Sequence, residues 1–269
     1  MTVAQTAPKR LVLAERGGNP AWTGFVGTII SELKSVIREP SALMFTLGQP
    51  LILLLVLNTF DFHFVDATGK SRPYIDRLLP GMVAFVGMTL GLQGVAFVLA
   101  RYKERGTLRR LRATPLPTIS FIGGVIVSRT ILAVVNSAIA FYSGIYLFGA
   151  TVDGSSLAII ALGIVGTLVF IPIGILAVAL ARSEDDIPPF VFLPLTISIL
   201  FSGVFLDRSG LPDWLHWVTA GLPLTLLTDA VQQVAYQGAG WSDLGNDLFG
   251  MAAWIVVITG LATWRFKMS

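Results

Sequence analysis

The chain has 269 residues, 54% of them hydrophobic and 13% charged, with a net charge of +3 and no cysteine, and its mean hydropathy is +0.75. A soluble domain carries about 25% charged residues, so this composition excludes an ordinary water-soluble globule and implies that lipid solvates much of the surface. The lack of cysteine excludes disulfides, thiol catalysis and cysteine-held metals.

Residues 1–20 contain no apolar core followed by a small-residue cleavage site, so no cleaved signal peptide is expected. They are read as a flexible N-terminus. Residues 21–40 read as an amphipathic helix. Trp22, Phe25, Val26, Ile29, Ile30, Leu33, Val36 and Ile37 recur at three- and four-residue spacing, and Pro40 stops the pattern. Thr28, Ser31, Glu32, Lys34, Ser35, Arg38 and Glu39 occupy much of the other side. Such a helix, directly before an apolar run, is expected to lie along the inner leaflet.

Residues 41–269 form the membrane domain. A spanning helix needs about 20 apolar residues, and uncharged runs of that order occur at 41–60, 78–100, 130–152, 154–181 and 187–206. A shorter run lies at 248–264. The expected fold is an all-α integral membrane protein with six transmembrane helices, since helices satisfy their own backbone groups in hydrocarbon. Between the fifth and sixth runs, residues 207–240 have apolar pieces of about a dozen residues, split at Gly221 and Pro223. They are expected to form a re-entrant hairpin of two short helices, with Trp214, Trp217 and Trp241 at the outer interface.

Orientation follows from Lys and Arg. With both termini inside, fifteen of the nineteen lie on the cytoplasmic side, and only Lys70, Arg72, Arg77 and Arg208 lie outside. Arg129 stands just before the uncharged run 130–152 and is expected near the inner interface, with its side chain reaching the headgroups.

The loop Arg101 to Pro117, RYKERGTLRRLRATPLP, holds six of the Lys and Arg residues. Leu108 and Leu111 are three apart and share one face of a short helix. Arg105, Arg109, Arg110 and Arg112 surround them, and Pro115 and Pro117 interrupt any continuation. An apolar ridge ringed by cations can enter a groove on a soluble protein. Equally, a basic loop can do no more than set topology and bind anionic lipid.

No catalytic or metal constellation emerges. Gly69-Lys70-Ser71 lacks the second glycine of a phosphate loop, because that position is Phe64. His63 and His216 have no ligand spacing. Gly87 and Gly91 make a GxxxG pattern suited to close helix packing. Asn58, Gln93 and Asn136 are polar residues in or near spans and are candidates for a substrate path or for helix–helix hydrogen bonds.

The segment ERGTLRRLRATPLP at 104–117 resembles the coupling segment of ATP-binding-cassette type-2 permeases, in particular their bacterial drug- and antibiotic-resistance exporters. LLPG at 78–81 and FSGVFLDRSGLPDWLHWVTAGLPLTLLTDAV at 201–231 resemble the same family, and the resemblance extends over roughly residues 20–265. Asp207 stands where many relatives carry Pro, and no Arg follows closely after Asp229.

The resemblance implies a permease subunit in a bacterial inner membrane. It implies that residues 101–113 dock on a separate cytoplasmic ATPase subunit, with Glu104, Gly106, Thr107, Leu108, Arg109 and Leu111 as coupling residues. ATP and Mg would bind that partner, leaving this chain without cofactor or enzymatic activity. A second permease subunit, identical or related, would complete the path. Pro212, Trp214, Pro223, Leu224 and Asp229 would belong to an outer gate. The cargo would be an amphipathic drug, antibiotic, lipid or glycolipid, and no nucleic-acid partner is expected. The rivals are a non-transporting regulatory subunit of such a complex, a secondary transporter and a membrane enzyme. The last two lack the intramembrane acids or acid–base pairs they need.

Overall fold

The computed structural model describes residues 19–40, 44–59, 63–65, 69, 71–104, 106, 117–183, 185–204 and 212–267. The chain starts with α1 (Pro20–Arg38), where the Asn19 side chain accepts from the Ala21 N–H at 3.0 Å and Pro20 suits the first helical turn. A π-helical turn, Met44–Gly48, leads into α2 (Gln49–Asn58). Then come two short strands, β1 (His63–Val65) and β2 (Ser71–Pro73). The long helices follow: α3 (Tyr74–Glu104), α4 (Thr118–Phe148) and α5 (Ser156–Leu180). They are succeeded by α6 (Ile187–Phe201), α7 (Asp213–Ala220), α8 (Pro223–Gln237) and α9 (Gly245–Lys267).

Six apolar helices thus stand close to the six expected runs, but only four of them are long and apolar enough to cross a membrane: α3, α4, α5 and α9. Helices α2 and α6 have 10 and 15 residues. Fifteen residues rise only about 22 Å, short of a hydrocarbon core of about 30 Å. The third run is also displaced, since α4 begins at Thr118 rather than near residue 130. Its start follows Pro117, whose extended backbone serves as the N-cap. The strands β1 and β2 were not anticipated. They pair antiparallel with Phe64 opposite Arg72, and Gly69 (φ +81°) lies between them. Gly69 therefore lies between the two strands and Ser71 opens β2, while Lys70 lies outside the described residues.

The core is the pairing of α3 with α5. A Cβ at Gly87 would lie 2.9 Å from the Gly163 carbonyl oxygen, and one at Gly91 would lie 2.5 Å from that of Thr167. Gly174 sits as closely, 2.7 Å by the same measure, against the Leu92 carbonyl. Only glycine permits backbones to approach this far, so the GxxxG pattern serves the packing expected of it. Around this seam Leu78, Met82, Val83, Leu162 and Phe170 are buried, and α8 brings in Leu224, Leu227 and Val231. By contrast α6 and α9 turn Phe190, Leu193, Phe249, Val256 and Trp264 outward.

Helix α1 corrects the amphipathic expectation in one respect. Its buried side is Thr28, Glu32 and Val36, spaced four apart, while Trp22, Ile30 and Ile37 are exposed. Part of the polar side therefore faces protein. Gly124 of α4 makes room for it: a Cβ there would meet Thr28 Cβ at 2.7 Å and the Phe25 carbonyl at 3.0 Å.

Candidate functional site

The last turn of α3 holds the first residues of the segment 101–113. Arg101 and Lys103 occupy its last turn, where cations complement the negative end of the helix. Lys103 Nζ donates to the Ala181 carbonyl at 2.9 Å and to that of Val178 at 3.4 Å, capping α5 from the side. Glu104 is exposed at the end of α3, and Gly106 follows in the left-handed region (φ +65°), with its N–H on the Lys103 carbonyl at 3.2 Å. A residue with a Cβ would be strained there, so Gly106 turns the chain off the helix axis. Thr107, Leu108, Arg109 and Leu111 lie outside the described residues. A cavity of about 330 Å³ opens between this turn and the α5–α6 connection, lined by Lys103, Glu104, Gly106, Arg182 and Ser183. In that connection the Ser183 and Arg182 N–H groups, each 3.1 Å from Asp186 Oδ2, hold its carboxyl below the usual range.

Two residues before Glu104, at Tyr102, three elements meet at Glu32. Arg129 Nη2 of α4 donates to Glu32 Oε2, and Tyr102 of α3 donates its hydroxyl to Glu32 Oε1 at 2.5 Å. Glu32 is 3% exposed and Arg129 6%. The Arg129 stem passes beside Gly94, where a Cβ would lie 3.3 Å from its Cδ. The Tyr102 ring meets Phe121 edge-on at 4.9 Å. Arg129 therefore does not reach for the headgroups as expected. A buried acid neutralises it, because a lone guanidinium among apolar helices is costly. The sequence carried half of this signal: an isolated Arg beside an uncharged run requires a counter-ion once it is buried. It did not say that the counter-ion comes from a helix 97 residues earlier.

Beside this junction lies a cavity of about 390 Å³ between α2, α3, α4 and α6. Gln93 and Asn136 both line it, together with Gln49, Thr89, Arg101 and Arg129. The rings of Phe97 and Phe192, 6.1 Å apart, close one side. The Nε of Arg129 is buried there without a hydrogen-bond partner. Two of the three polar candidates are thus brought together. Asn58 is not among them, being exposed at the opposite end of α2. Gln49, in the first turn of that helix and within the run 41–60, was not singled out.

The hairpin end is held by a second polar cluster. Asp76 accepts from the Thr151 N–H at 2.8 Å and from the Thr151 hydroxyl at 2.6 Å. Arg72 donates to Asp153 at 2.5 Å, lies 4.0 Å from Asp76 and stacks 5.5 Å above the Tyr236 ring. The Tyr236 hydroxyl donates to the Asp76 carbonyl at 3.0 Å, and Asp153 N–H to that of Ala235 at 2.9 Å. Helices α7 and α8 occupy the place expected for the outer hairpin. The five gate candidates separate there. Pro212 and Trp214 are exposed, Pro223 and Leu224 are buried against the core, and Asp229 is half-buried on α8.

Comparison with known proteins agrees with this architecture. The model of the ABC-2 type transporter family matches residues 25–236. The probable multidrug ABC transporter permease YbhR of Escherichia coli strain K12 is 25% identical over 263 residues, covering 97% of this chain and 67% of that relative. The ABC transporter G family member 20 of Dictyostelium discoideum is 22% identical over 199 residues, covering 72% of this chain and 27% of its own length. With the family match running from α1 through α8, the chain belongs to the ABC-2 type transporter family and is a multi-pass membrane permease.

Proposed function

We propose that this permease is the membrane half of an ATP-driven exporter, moved by a separate ATPase subunit docked on residues 101–113. The observation that carries this reading is α3 itself. It runs unbroken from the hairpin end to Glu104, and Gly106 in the left-handed region ends it where the basic, leucine-bearing sequence begins. ATP and Mg are then handled by the partner, and both termini lie in the cytoplasm of a bacterial cell. A second permease subunit covers outward-facing apolar side chains such as those of α6. The cavity lined by Gln93 and Asn136 receives an amphipathic cargo: its amides and Thr89 offer hydrogen bonds, and Phe97 and Phe192 an apolar wall. Drugs, antibiotics, lipids and glycolipids share that chemistry, and YbhR carries a multidrug name. Helices α7 and α8 act at the outer exit.

Co-purification tests the reading. The wild-type chain is expected to retain a cassette ATPase, and the Leu108→Glu, Leu111→Glu double variant to lose it while remaining inserted and monodisperse. If the wild-type chain retains no such ATPase, the 101–117 loop only sets topology and the exporter reading is abandoned.

A further inference from the structure

Among the described residues, Glu32 is the one side chain of α1 that bonds to both α3 and α4. We propose that Glu32 is a positioning residue for transport: it fixes α1 to α4 through Arg129 and to the last turn of α3 through Tyr102, so that a displacement of the segment after Glu104 carries α1 and α4 with it. This rests on the docking of an ATPase at residues 101–113.

The two bonds at Glu32 differ in kind. Parting Glu32 from Arg129 leaves two buried charges uncompensated, so α1 and α4 move as one body. Their contact at Gly124 and Thr28 is equally tight. The Tyr102 bond is a single hydrogen bond to a carboxylate, two residues before Glu104. It is the articulated point between that body and the coupling segment. Phe121 of α4 keeps the Tyr102 ring in place whether or not its hydroxyl is bonded. Helices α3 and α4 also pack directly, at Gly94 and Arg129 and at Gly144 and Leu79, and between α1 and α3 Arg101 lies 3.9 Å from Glu39 with both side chains exposed, where a pair contributes little. The apolar side chains Trp22, Ile30 and Ile37 point away from the protein, so α1 is free to slide in its surroundings while Glu32 sets where it goes.

The chain contains no cysteine, so a bimane label on Lys34→Cys, an exposed site on α1, reports movement of that helix alone. The measurement is made on the complex with a cysteine-free ATPase, with and without ATP plus vanadate. The wild-type background is expected to give a nucleotide-dependent fluorescence change. Tyr102→Phe keeps the ring and is expected to cut that change roughly tenfold in complexes that are purified with their ATPase bound. Glu32→Arg or Arg129→Glu alone is expected to lose assembly, and the two combined to recover it. A full fluorescence change in Tyr102→Phe overturns the proposal, as does a silent label on a wild-type chain that holds its ATPase. Failure of the charge exchange to recover assembly also counts against it. If no ATPase binds the wild-type chain, the docking reading falls first and this inference falls with it.

Discussion

The two ends of the molecule each bury an arginine beside an acid, and they do so with different redundancy. At the hairpin end Asp76 is held by the Thr151 N–H and hydroxyl as well as by nearby Arg72, and the Asp153–Ala235 backbone bond ties the same elements again. At the other end Glu32 is held by two side chains, and Arg129 is balanced by Glu32. A clasp with many bonds resists opening when one of them is lost, whereas a joint with two bonds passes on the motion of either partner. On the proposed exporter reading, the hairpin end holds its elements together and the Glu32 end receives the stroke.

The largest expected effect breaks the comparison at its weak end. Glu32→Ala or Arg129→Ala strands a buried charge and is expected to cost about 3–5 kcal/mol, seen as a lower melting temperature and loss of the monodisperse peak in detergent. A change that touches neither end calibrates the scale. Gly91→Leu forces a side chain to within 2.5 Å of the Thr167 carbonyl at its first carbon, and overpacking of this kind costs about 1–3 kcal/mol or more. Melting of that variant against the wild type measures it.

Asp76→Asn sharpens the contrast, because the single amide oxygen still accepts from Thr151 while the second acceptor and the charge beside Arg72 are lost. The expected cost is about 1–3 kcal/mol, below that of Glu32→Ala in the same melting assay. An equal or greater loss would remove the distinction between clasp and joint. The smallest effect is at Asp186. Its carboxyl is depressed by the Ser183 and Arg182 N–H groups, so its contribution to stability is present above the ordinary carboxylate range and lost as pH falls through the lowered native value. Asp186→Asn is expected to remove that part of the acid dependence, and melting curves from neutral to acid pH would show the two proteins converging.

Much of the helical plan was legible because its causes are local. Lipid solvation demands long apolar runs, Pro40 and Pro117 bound helices, and Gly87 with Gly91 marks a close approach. The third run was misplaced because Arg129 reads as a boundary when its counter-ion is not in view. The substrate-path candidates fared unevenly for a similar reason. Gln93 and Asn136 line one cavity from α3 and α4, while Asn58 sits at the far end of α2, and polarity within a run does not say which way a residue turns.

The sequence by itself determined the solvent, the class of secondary structure and the basic segment at 101–117, since hydropathy, charge and proline act over a few residues. Only the tertiary structure decided that α3 and α5 share a glycine seam, that α1 turns Thr28 and Glu32 inward, and that Glu32 answers Arg129 across 97 residues. Those outcomes depend on which helix faces come together. Burial of a charge becomes affordable only after its partner arrives, and no local pattern encodes that meeting.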